Sequence, residues 1–190
     1  MDLKRNIEKW NIFKEISNQR LYNESLDSLK QFILDLKKKS AYWEFYEKLK
    51  GLKLKVPVEQ LLNQFDTEDL DVNFALALIY DSVQADLKKS KELLHYGAER
   101  GHMNTQLMLG SIYRNEFEEL DDVPEAKYWF EQAAFQGNAC AMHELSMLAN
   151  YKGAGYEWLK KAAQLGYMDA VSDLETIEAW RAQRMNDVLN

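Results

Sequence analysis

Three segments of the chain can be laid under one another: GHMNTQLMLGSIY (101–113), GNACAMHELSMLA (137–149) and GYMDAVSDLETIE (166–178). Gly101, Gly137 and Gly166 align, and so do Leu109, Leu145 and Leu174. The residue after each leucine is Gly110, Ser146 or Glu175, and the fifth position carries Thr105, Ala141 or Ala170. Reading backwards from each glycine gives further matches. Ala98, Ala134 and Ala163 precede it by three residues, and Gly97, Ala133 and Ala162 by four. Leu94, Phe130 and Leu159 stand seven before, and Leu93, Trp129 and Trp158 eight before. The glycines are 36 and then 29 residues apart. Self-similarity at this period marks a chain of paired helices stacked into a solenoid.

The pattern has a packing reason. Antiparallel helices approach closely only over small side chains, which Ala77, Gly110 and Ser146 supply on first helices. Ala133-Ala134 and Ala162-Ala163 do the same on second helices, while Trp129, Phe130, Trp158 and Leu159 fill the space between pairs. Gly101, Gly137 and Gly166 are expected to end each second helix in a left-handed conformation.

Outward from this core, the first repeat is expected at about 68–82 and 87–100, with Asp66-Thr67 as its cap. Leu76-Ala77 and Tyr80 there match Leu109-Gly110 and Tyr113. The second repeat is placed at 103–115 and 124–136, around the acidic loop EFEELDDV (116–123). The third is placed at 138–150 and 155–165, around the short loop NYKGA. A last helix starts near Met168, reaches Arg184 or beyond, and ends polar, as a capping helix must.

Residues 1–66 stand outside the repeat and read as a helical subdomain that caps the solenoid of 67–190. Leu3, Ile7, Trp10, Phe13 and Ile16 recur at helical steps over 2–18. A polar break follows at Asn18 to Asn23, then a second helix over 24–39 with Leu26, Leu29, Phe32, Ile33 and Leu36 on one face. Lys37-Lys38-Lys39 reads as a solvated helix end. A third helix is expected over 41–50, dense in Tyr42, Trp43, Phe45 and Tyr46 and terminated by Gly51. Leu52 to Val56 reads as an extended linker, and Pro57 opens a short helix through Phe65.

The residues just aligned resemble the Sel-one-like repeat, a branch of the tetratricopeptide-type helical solenoids, over about residues 68–180. The second repeat matches best: Leu109-Gly110, Tyr113, Asp122, Ala126, Trp129, Ala133-Ala134 and Gly137. The chain departs from the pattern at three places. The loop glycine after Tyr113 is missing, Ser146 and Glu175 replace the helix glycine, and the third repeat has lost most of its loop. The resemblance implies an all-α, right-handed superhelix of about three helix pairs plus a capping helix. It also implies scaffolding and partner binding without catalysis, and no catalytic residue carries over.

Composition bounds the remaining classes. The net charge of −7 divides unevenly: residues 1–56 hold 13 Lys/Arg against 8 Asp/Glu, and residues 57–190 hold 11 against 23. An acidic solenoid repels phosphate backbones, so no nucleic-acid partner is expected, and a basic protein would suit it. No apolar run approaches the length of a membrane span, the N-terminus is too charged for a secretory signal, and a cytoplasmic protein is expected. Cys140 alone forms no internal disulfide. Cys140 and His143 share one helical turn, but zinc needs three or four ligands, so no metal is expected. No phosphate-binding glycine loop or nucleophile with an orienting third group occurs, and no cofactor is expected.

The expected function is therefore a non-enzymatic protein-interaction module. One alternative is an immunity-type inhibitor that neutralises a basic toxin. Another is an enzyme with its site in the N-terminal helices. The partner is expected in the groove lined by first helices, with Ala77, Gly110 and Ser146 fixing their rotation. Phe74, Leu78, Asp81 and Ser82 from the first repeat should point there. So should Leu107, Ser111, Arg114 and Asn115 from the second, and His143, Met147, Asn150 and Tyr151 from the third. A competing expectation is that the N-terminal helices cover Phe74, Leu78 and Leu107.

Overall fold

The computed structural model describes residues 3–38, 54, 58–60, 64–82, 86–116 and 124–189, with the side chains of α1 described over 14–35. Every regular element among them is helical: α1 (Leu3–Lys38), a 3₁₀ turn (Val58–Gln60), α2 (Leu70–Ser82), α3 (Leu87–Glu99), α4 (Met103–Glu116), α5 (Pro124–Phe135), α6 (Ala139–Leu148), α7 (Ala154–Gln164) and α8 (Met168–Leu189). The expected helix at 41–50 and residues 117–123 of the acidic loop lie outside the described residues, while Glu116 ends α4. The chain divides into two compact units, residues 1–93 and 94–190.

In the first unit, α1 runs without interruption through the stretch expected to break it. Asn18 to Asn23 contains neither glycine nor proline, and its polar side chains pair along the helix surface. Gln19 donates to Asn23 at 3.0 Å, and Arg20 pairs with Glu24 at 2.8 Å. Ile16, expected on an apolar face, is instead exposed. Leu29, Phe32 and Ile33 are buried, as is Ser25, and α1 packs against α2. α2 is buried at every residue from Val72 to Tyr80, as an all-round apolar helix must be. Its cap is Asp69, whose carboxylate accepts from the amides of Asp71 and Val72, while Asp66 caps only the preceding turn at Glu68. Ser90 of α3 donates to the Ala77 carbonyl at 2.9 Å, at the small seam position of α2.

In the second unit, α4 packs on α5, α5 on α6, α6 on α7 and α7 on α8. Gly110 of α4 faces the buried ring of Phe130 in α5. The helix ends follow the register of the repeat. At Gly137, φ is +94°, the Gly137 amide donates to Ala134 O at 2.9 Å, and the Asn138 amide donates to Ala133 O at 3.1 Å. These bonds form a Schellman stop, and the double alanine supplies its carbonyls. Gly101 and Gly166 repeat the left-handed turn. Asn138 then caps α6 by accepting from the Ala141 amide at 2.9 Å. The glutamines tie neighbouring pairs: Gln136 donates to Gln106 Oε1 at 2.7 Å, and Gln106 donates to the Ala98 carbonyl at 3.0 Å.

Candidate partner-binding face

The repeat makes one side of the first helices α4, α6 and α8 a continuous register, with Gly110, Ser146 and Glu175 at the seam. Three of the apolar residues expected in the groove are in the core. Phe74 and Leu78 are buried in the first unit and Leu107 in the second, none more than 1% exposed. Asp81 is half-buried and accepts from Ser82 at 3.3 Å. In the second unit the side chains of Asn115 and Asn150 are exposed, and Ser111, Arg114, Met147 and Tyr151 are half-buried. Ser111 donates back to the Leu107 carbonyl at 3.1 Å, so its hydroxyl is tied to its own helix.

Arg114, His143 and Tyr151 enter a bonded chain that runs from first helix to first helix. The Arg114 guanidinium pairs with Glu144 of α6. One residue earlier on α6, His143 Nε2 lies 2.8 Å from Asp173 Oδ2 of α8. The Tyr151 hydroxyl donates to the same Oδ2 at 2.7 Å. Asn150 and Tyr151 are both left-handed, with φ of 48° and 54°, directly after α6 ends. Such a pair is costly for a tyrosine, and its bond to Asp173 is part of what holds it there.

Burial by itself would raise the Asp173 carboxyl, but the bonds from His143 and Tyr151 and the charge of His143 outweigh it and hold it below the usual range. Tyr151 is pushed up to about 12, first by burial and then by its bond to the Asp173 carboxylate. The phenol is therefore a fixed donor at neutral pH. Glu144 goes the other way: burial raises its carboxyl more than Arg114 lowers it. Cys140 sits beside this chain, accepting from the Tyr167 hydroxyl at 3.5 Å, and burial pushes its thiol up. Among the described residues no group of three His, Cys, Asp or Glu could hold a metal ion.

Glu144 and Asp173 were not among the residues singled out from sequence. The signal was available in the register, since both stand two residues before a seam position and each meets a partner thirty residues back in the chain. Leu145, Leu148 and Ala149 line a cleft of about 270 Å³ with Lys127, Glu131, Ala154, Gly155 and Trp158. No helix among the described residues is long and apolar enough to cross a membrane.

These features define a helical-repeat protein built from antiparallel pairs. No protein-family model matches the sequence. No curated protein matches it either. Among solved structures, the chain is similar to the crystal structure of a Sel1 repeat protein from Oxalobacter formigenes, at 25% identity and a TM-score of 0.50, over 63% of this chain and 97% of that one. The fold is that of a Sel1-like repeat solenoid.

Proposed function

We propose that the protein is a non-enzymatic interaction module, and that a protein partner binds the first-helix face of its second unit. Supporting this reading is the accessibility of Ser111 and Asn115 after one seam residue and of Met147, Asn150 and Tyr151 after the next. Equivalent offsets on successive repeats suit an extended segment crossing the helices, with side-chain register fixed by separated polar groups. Asp81 is the corresponding residue of the first unit. The second unit holds 15 Asp/Glu against 8 Lys/Arg, which favours a basic partner. An inhibitor of one basic toxin is the narrower form of this reading, and it differs by demanding a single tight partner. Neither form needs a cofactor.

The test is photo-cross-linking in cells that make the protein natively, with the reactive group at position 115 or 147 and a control at Lys161 on α7. Discrete adducts from 115 and 147 but not from 161 are expected. Adducts from 161 alone would place the partner on the second helices and end this reading.

A further inference from the structure

This inference rests on the reading of the first-helix face as a partner-binding surface. Glu144 and Asp173 hold the same place in successive first helices, two residues before Ser146 and Glu175. At Glu144 the carboxylate is occupied by a guanidinium, that of Arg114, four residues after seam Gly110. The same offset on the next pair falls on Asn150, but α6 has already ended at Leu148 and the chain turns left-handed there. The turn brings the following hydroxyl, that of Tyr151, onto Asp173 instead.

The result is an incompletely filled station. His143 and Tyr151 both bond Oδ2, and Oδ1 has no partner among the described residues. The Asp173 side chain stays 37% exposed, whereas that of Glu144, closed by Arg114, is 13% exposed. Two converging donors fix the carboxylate, so an incoming cation orders nothing further at this group.

We infer that Asp173 is the receptor for an arginine side chain of the bound segment, which takes the place at Asp173 that Arg114 takes at Glu144. A guanidinium is favoured over an ammonium because it is more weakly hydrated and presents several donors in a fixed fork to a carboxylate.

The experiment titrates N-acetyl-arginine amide and its neutral isostere N-acetyl-citrulline amide into the whole protein at low salt, followed by ¹⁵N NMR. Saturable shifts at residues 150–151 and 172–174 are expected with the arginine compound, and the citrulline compound should bind about tenfold more weakly, as the loss of a charge-assisted bond implies. Asp173→Asn should abolish the difference between the two. Equal responses in the unaltered protein, or unsaturable shifts spread over exposed carboxylates such as Glu157 and Glu175, would overturn the assignment whether or not the variant folds. Saturation at Asp173 with no adducts from positions 115 and 147 would sustain the receptor and reject the wider face. Adducts with no discrimination between the two compounds would reject the receptor alone.

Discussion

The ring of Phe130 occupies the space that a side chain on Gly110 would need: a Cβ there would lie 2.7 Å from the ring's Cδ1. This contact sets how closely α4 and α5 approach. Gly110→Ala gains helix propensity of about 1 kcal/mol but overpacks the seam, and the net effect expected is a loss of about 1–2 kcal/mol. Combining it with Phe130→Leu should recover part of that loss. A double-mutant cycle from urea melts measures the coupling, and strict additivity would show that the two positions do not share the space.

Gly137 poses a different constraint. A Cβ there would meet nothing within 4 Å, yet φ is +94°. Gly137→Val should therefore cost about 2 kcal/mol or more from the backbone alone, and Gly137→Asn distinctly less. Thermal melts followed by circular dichroism give the order of the two variants.

Asn73 is buried in α2, and its Oδ1 has no hydrogen-bond partner among the described residues. The equivalent positions of the third and fourth first helices carry Met142 and Val171. Asn73→Leu keeps the branch at Cγ and removes the unsatisfied oxygen, so a gain of about 1 kcal/mol is expected in denaturant melts. A loss of similar size would mean that the amide is satisfied after all.

Acid stability should carry two opposed components. The folded Asp173 carboxyl is held below its unfolded value, so its contribution is complete above that value, about pH 3.9, and is lost as pH falls through the folded one. Folded Glu144 is raised, so its ionised form is a penalty above the folded value that is relieved as pH falls toward about 4.3. In urea melts from pH 2.5 to 6.5, Asp173→Asn should flatten the acid limb. Glu144→Gln should remove the decline on the other side. Unchanged slopes in both would show that neither carboxyl is shifted.

The sequence made the fold legible wherever backbone geometry demanded a residue type. The glycines at 101, 137 and 166 and the double alanines mark the helix stops, and the helix bounds followed to within a few residues. The continuity of α1 was not legible, because an exposed polar stretch of helix and a polar break have the same composition. For Phe74 and Leu78 the sequence left two readings open, groove or burial, and they are buried. A helix apolar on all sides does not announce which face its neighbours leave open, and α1 packs against α2. The register could have pointed to Asp173, but the Tyr151 bond to it was not legible, because it depends on a left-handed turn at Asn150 and Tyr151, two residue types that do not require one.

The most direct test of the central claim is hydrogen exchange on the complex with the cross-linked partner, compared with the free protein. Amides at 111–115 and 147–151 should gain protection on binding, while those at 158–161 on α7 should exchange as before. Protection confined to 158–161, with 111–115 and 147–151 unchanged, would contradict the account.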